Sequence, residues 1–198
     1  MVGTLQLHLA STSPRRRAIL DALGLEFTLA AVDVDESPRE GEVPRETVLR
    51  LAIAKAEAAV VGASDLVLGA DTEVVIDGKA LGKPRDEADA LTMLGRLSGR
   101  AHTVLTGVAL RGPHGTRTAL SNTDVYFREI SRDEARAYWQ SGEPQDKAGA
   151  YAVQGLGGAF VERIEGSYSG VVGLPVFETV ALLREAGVDV VTGRRIND

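Results

Sequence analysis

Residues 5–24 read LQLHLASTSPRRRAILDALG, and this stretch decides the fold class. Leu5 to Ala10 alternates apolar and polar side chains, the period-two signature of a strand. Ser13-Pro14 then supplies an N-cap residue and a first-turn proline. Ala18, Ile19, Leu20, Ala22 and Leu23 follow at helical spacing, and Gly24 marks the stop. A strand that runs directly into a helix with both ends marked is the opening of an α/β fold.

Working outward, Phe27 to Val32 reads as a second strand leading into an acidic, turn-rich stretch, Asp33 to Glu42. A longer helix is predicted from Pro44 to Val61 and a short apolar strand from Leu66 to Ala70. Glu73 to Ile76 and Lys79 to Leu81 flank Asp77-Gly78, a pair that favours a tight hairpin turn. Asp86 to Leu97 is helical, with Leu91, Leu94 and Leu97 on one face. Thr103 to Leu110 and Thr118 to Phe127 read as strands joined at Gly112-Pro113-His114-Gly115. Ser131 and Glu134 form a capping box that opens another helix. Ala159 to Ile164 is a strand, Val176 to Ala186 a last helix, and Val188 to Val191 a closing apolar run. Elements alternate early and strands cluster in the middle, which predicts an α/β fold with a mixed, elongated sheet flanked by helices. Neither repeats nor long linkers divide the chain, so residues 1–198 read as a single domain.

Composition narrows the function. The chain has 198 residues, 44% hydrophobic and 25% charged, ordinary values for a globular protein. It contains no cysteine, which excludes disulfides, thiolate metal sites and a thiol nucleophile. Basic residues number 22 against 28 acidic, a net charge of −6. That balance argues against nucleic-acid polymers and membrane surfaces as partners, because both need a broad positive field. No segment has the apolar length of a membrane span. The arginines near the amino terminus follow the apolar segment, the reverse of a secretory leader. The expected setting is soluble and cytoplasmic.

Against this anionic background, Arg15, Arg16 and Arg17 stand in the first turn of a helix, where the dipole is already positive. Three cations there oppose the dipole unless an anion joins them, and free backbone N–H groups with guanidinium forks suit a phosphate. Splaying into water or pairing with acidic loops is the competing reading. Asp71 follows an apolar strand, and the carboxyl ends of strands in open α/β sheets are where ligands bind. A carboxylate there can hold a divalent cation or accept a proton, or simply cap a turn. Asp33, Asp35 and Glu36 form a second acidic cluster, either metal-binding or merely solvated. Lys55 falls inside the apolar stripe Val48, Leu51, Ala52, Ala56 and Ala59, so it either snorkels to the rim or reaches an anion. Lys83, between Gly82 and Pro84, is held by a restricted backbone. Gln154 lies in a glycine-rich polar loop, and its amide carries the donor and acceptor needed to read a base edge. His8, His102 and His114 have no metal-ligand spacing, and His102 reads as structural. Ser11 and Ser13 lack a partner base.

These pieces occur in a fixed order: Ser11-Thr12-Ser13-Pro14-Arg15-Arg16, Lys55-Ala56, Gly69-Ala70-Asp71-Thr72, Gly82-Lys83-Pro84, Ser98-Gly99-Arg100, Glu143-Pro144 with Asp146-Lys147-Ala148-Gly149-Ala150-Tyr151, Gln154-Gly155, and Gly173-Leu174-Pro175. Over residues 5 to 187 the ordered set resembles the Maf-like family, named for inhibition of septum formation and including nucleoside triphosphate pyrophosphatases. The resemblance implies a two-lobed fold similar to inosine-triphosphate pyrophosphatases, with the nucleotide in the cleft. It implies cleavage between the α- and β-phosphates to a nucleoside monophosphate and pyrophosphate. Asp71 matches the proton acceptor, Lys55 and Lys83 match lysines at the phosphates, and Ser11, Arg15 and Arg16 match the phosphate loop. Asp71 and Glu36 match candidate ligands for Mg²⁺ or Mn²⁺. Arg15, Thr72 and Gln154 match the trio marking the branch that acts on dTTP and UTP, with modified pyrimidine nucleotides as further candidates. There are two departures from the family pattern: Ala152 replaces a commoner glycine, and Ser169-Gly170 stands where a bulkier or amide-bearing pair often precedes Val171. A homodimer is also implied. The rival readings are a non-enzymatic nucleotide-binding regulator of cell division and a phosphatase releasing inorganic phosphate.

Overall fold

The computed structural model describes residues 6–192 and the backbone of 194–195, so Leu5, where the first strand is predicted to begin, lies outside the described residues. The chain runs β1 (Leu7–Leu9), α1 (Pro14–Ala22), β2 (Thr28–Leu29), α2 (Pro44–Ala58), β3 (Leu66–Ile76), β4 (Lys79–Leu81), α3 (Glu87–Leu97), β5 (Ala101–Gly112), β6 (Gly115–Phe127) and α4 (Arg132–Gln140). Three short 3-10 turns between Glu143 and Phe160 lead to β7 (Val161–Glu165), α5 (Tyr168–Val172), α6 (Val176–Glu185), β8 (Val188–Asp189) and β9 (Arg194–Arg195). Seven strands form one mixed sheet in the order β2-β1-β3-β5-β6-β7, with β4 also paired to β3. The β1–β2 and β1–β3 pairs are parallel and the rest antiparallel.

Local signals hold where they are strongest. Asp77 and Gly78 both take positive φ, 53° and 72°, as a two-residue hairpin turn of the mirror-image kind requires. Ser131 accepts the Glu134 N–H while Glu134 reaches back to the Ser131 N–H at 2.9 Å, the capping box read from sequence. The second strand shrinks to two residues, and α2 stops at Ala58, three residues before its predicted end.

The main correction concerns Asp71. It does not end a strand: Leu66–Ala70 and Glu73–Ile76 are one continuous strand, carried through the polar interruption by antiparallel pairing with β5 from Val67 to Val75. The opening for a ligand arises on the other edge of β3. There β1 pairs with Leu66–Leu68 and β4 with Val74–Ile76, so residues 69–73 have no strand beside them. The sheet edge is split at Asp71.

One face of the sheet carries α2, which packs on β3 and β5. That approach depends on two glycines. A Cβ at Gly69 would run into the Ala52 carbonyl, and one at Gly107 would lie 2.5 Å from the Val48 carbonyl oxygen. The opposite face holds two apolar clusters. One joins Leu68, Ala70 and Val108 to Leu174, Leu182 and Leu183; the other joins Val74, Val104 and Phe127 to Leu94, Tyr138 and Tyr151. Between them runs a line of hydroxyls: Thr72 Oγ1 and Thr106 Oγ1 lie 3.0 Å apart, and Thr106 donates to the Gly170 carbonyl at 2.8 Å. The two clusters are therefore separated by a polar seam, and the split edge lies beside it.

Candidate active site

A cavity of about 590 Å³ opens at the split edge, within the range typical of small-molecule sites. It is lined from one side by Ser11 to Arg16 and from the other by Tyr151 to Gln154. On the first side, the Arg16 guanidinium is partly buried and donates from Nε to the Gly173 carbonyl (2.8 Å), and from its two terminal nitrogens to Ser11 Oγ (3.1 Å) and Thr72 Oγ1 (3.3 Å). All three acceptors are neutral. Burial pulls this guanidinium below its ordinary pKa, with the Asp71 carboxylate acting the other way. Ser11 Oγ also accepts the Ser13 N–H at 3.2 Å, while the Ser13 side chain makes no capping bond of its own. Arg15 lines the cavity and approaches Asp146 at 3.5 Å, whereas Arg17 is exposed and outside it.

The floor is set by α2. Lys55 does not snorkel: it is buried, with Nζ 2.7 Å from Asp71 Oδ1 and 2.6 Å from Glu36 Oε1. Burial raises the Asp71 carboxyl above its ordinary value despite the Lys55 charge. At the more exposed Glu36, burial also pushes upward, but the hydrogen bond and charge of Lys55 prevail and lower it. Lys83 is exposed at the rim. Asp33 and Asp35 do not line the cavity; Asp35 accepts the Ser37 N–H at 2.9 Å, an ordinary local turn.

Two further residues stand out. Glu73 lines the cavity two positions from Asp71 on the same face of β3, half-buried, with Oε2 lacking a partner. Burial and the charges of Asp71 and Glu42 push its carboxyl up to about 7. Period-two spacing from Asp71 is the signal that could have found it. On the far side His102 is buried, 2.9 Å from the Tyr151 hydroxyl through Nε2 and edge-on to the Phe127 ring. It does not line the cavity, its Nδ1 is buried without a partner, and burial pushes it down to about 4.

The donor set bears on a divalent cation. Asp71 and Glu36 each give one oxygen to the Lys55 ammonium, so two hard oxygen-bearing groups stand together beside it at the cavity. Among the described residues no three His, Cys, Asp or Glu side chains come together around a metal position. The pair fits an ion such as Mg²⁺, which binds through one or two carboxylates and completes its shell with phosphate oxygens and water. No helix among the described residues is long and apolar enough to cross a membrane.

The family model described as "Maf-like protein" matches residues 6–186. The chain is 53% identical over 192 residues to a dTTP/UTP pyrophosphatase of Hahella chejuensis, covering 95% of this chain and 96% of that one. It is 53% identical over 193 residues to a dTTP/UTP pyrophosphatase of Shewanella oneidensis, covering 93% and 100%. Among solved structures it overlaps the Staphylococcus aureus Ham1 protein with a TM-score of 0.44 and 17% identity, over 62% of this chain and 71% of that one.

Proposed function

The chain belongs to the Maf-like protein family, and from that premise we propose that it hydrolyses dTTP and UTP to the nucleoside monophosphate and pyrophosphate. The observation that carries the chemistry is the Arg16 guanidinium, partly buried with neutral acceptors only, facing the Glu36–Lys55–Asp71 cluster across one cavity. A charge in that position is stabilised once an anion joins it.

In this reading Arg15, Arg16 and Ser11 hold the phosphate chain at the start of α1, where free N–H groups add to the attraction. Thr72 keeps the Arg16 fork in its plane. Lys55 and Lys83 neutralise charge that builds on the departing pyrophosphate. Lys55 orients the Asp71 carboxylate through Oδ1, and Asp71 in turn orients the attacking water and takes its proton as the anhydride bond breaks. Mg²⁺ or Mn²⁺, held by Asp71 and Glu36, supplies when bound a positive field across the phosphate oxygens. Gln154 pairs with the pyrimidine edge, and an unmatched base leaves its amide unsatisfied. The proposal extends to one domain over residues 1–198 acting on free nucleotides in the cytoplasm; the homodimer rests on the resemblance alone.

The test is a panel of nucleoside triphosphates with Mg²⁺ or Mn²⁺, with products separated by chromatography. Pyrophosphate with dTMP or UMP is the expected outcome, and dTTP and UTP should turn over well above ATP and GTP. Inorganic phosphate would indicate the phosphatase, and binding without products the regulator. Asp71→Asn should reduce kcat by about a hundredfold or more with the fold intact, the scale of one lost transition-state contact. Near-normal turnover in that variant would remove Asp71 from the mechanism.

A further inference from the structure

We propose that Tyr138 and Glu143, neither of which lines the cavity, are positioning residues that set substrate selectivity by clamping the loop that carries Gln154; the inference rests on the pyrimidine reading above. Tyr138 lies on α4 with its ring in the apolar core. Its hydroxyl donates to Glu143 Oε1 at 2.6 Å and accepts the Ala152 N–H at 3.0 Å. Glu143 in turn accepts the Leu156 N–H on Oε2 and the Gly157 N–H on Oε1, both at 3.0 Å. Three consecutive-loop amides are thus held from behind by two side chains, at 152, 156 and 157. The cavity is lined by Tyr151 to Gln154, and Gln154 is exposed on the tip between the clamped amides.

The packing leaves little slack. A Cβ at Gly155 would collide with the Glu143 carboxylate, and one at Gly157 would sit 2.5 Å from the Tyr138 hydroxyl. The glycines of this loop are therefore where the two side chains press against main chain. Burial pushes the Glu143 carboxyl upward, but the Tyr138 hydroxyl and the loop N–H groups outweigh it and hold the acid charged. A charged acceptor binds N–H donors more strongly than a neutral one. The clamp acts on selectivity because a base-reading amide discriminates only while its own position is fixed. A misplacement of about 1 Å remote from the chemistry can cost on the order of a hundredfold.

Two variants test the clamp: Glu143→Gln removes the charge and one acceptor, and Tyr138→Phe removes the hydroxyl with little change of shape. Each is assayed with dTTP, UTP, ATP and GTP beside the wild type, with thermal melts and inhibition by pyrophosphate measured in parallel. The expected result is a KM for dTTP and UTP raised roughly tenfold and a smaller preference over purines. Saturated kcat and inhibition by pyrophosphate, which report the phosphate side, should stay within about twofold. Unchanged KM and preference in both folded variants would overturn the clamp. So would equal losses of kcat on every nucleotide, the signature of a purely structural role. A wild type with no pyrimidine preference would overturn the reading beneath it, and the wild-type row separates that failure from the other two.

Discussion

The two sides of the cavity are built on opposite principles. On the proposed phosphate side two polar groups are incompletely matched: Arg16 has only neutral acceptors, and Glu73 keeps an oxygen without a partner. On the proposed base side the loop is held by matched groups, the Glu143 carboxylate meeting three donors and the Tyr138 hydroxyl both giving and receiving, although His102 behind it keeps Nδ1 without a partner. Unmatched charge costs stability in the free protein and is repaid by a ligand, whereas matched charge fixes geometry. The first arrangement suits binding a highly charged chain. The second suits recognising a shape that must be told from its near relatives.

The sharpest way to break this contrast is Arg16→Met. It should lower kcat/KM for dTTP by about a thousandfold, on the order of 4 kcal/mol, as expected for a lost charged contact to the phosphates. Melting temperature should hardly fall, because the charge removed has no carboxylate partner. A large loss of stability with modest loss of activity would make Arg16 a structural pin instead.

Acid should weaken the base side. His102, held at about 4 against an ordinary 6.5, favours the neutral form in the fold. Its contribution is complete above pH 6.5 and is lost as pH falls through 4, about 3 kcal/mol in all. His102→Gln should flatten the acid limb of the stability curve measured by denaturant titration; an unchanged limb would show that other groups govern it.

The smallest effect runs in the reverse direction on the phosphate side. Glu73, raised from 4.5 to about 7, favours its neutral form, so its contribution is present below pH 4.5 and fades as pH rises through 7. Glu73 is partly exposed, and after allowance for solvent screening about 1 kcal/mol remains. In chelator-treated protein, Glu73→Gln should therefore melt higher than the wild type at pH 8 and match it at pH 4.5. Equal melting at both would place Glu73 in ordinary solvent.

How much of this was legible in the chain depends on the range of the interaction. The Asp77-Gly78 turn, the Ser131–Glu134 box and the α1 arginines are local, and each is written within four residues. β3 is not: the polar run Asp71-Thr72-Glu73 reads as a break, and only pairing with β5, more than thirty residues on, carries the strand through it. The five residues of α5, with Gly170 among them, are too few to display a helical period. Lys55 was legible as an anomaly in an apolar stripe, but its partners became visible only with α2 on the sheet. Glu143-Pro144 was legible as one piece of the ordered motif set, but not its contacts, since two of its donors are main-chain N–H groups thirteen and fourteen residues away.

Because α2 meets the sheet main chain to main chain at Gly69 and Gly107, with only small side chains such as Ala52, Ala56 and Ala109 packed between them, the spacing between the Lys55 ammonium and the Asp71 carboxylate is set by a close backbone approach. The leucines under α6 lie on the opposite face of the sheet, so replacing Leu182 or Leu183 tunes heat tolerance without touching the Lys55–Asp71 pair, whereas Leu174 sits next to the Gly173 carbonyl that holds Arg16.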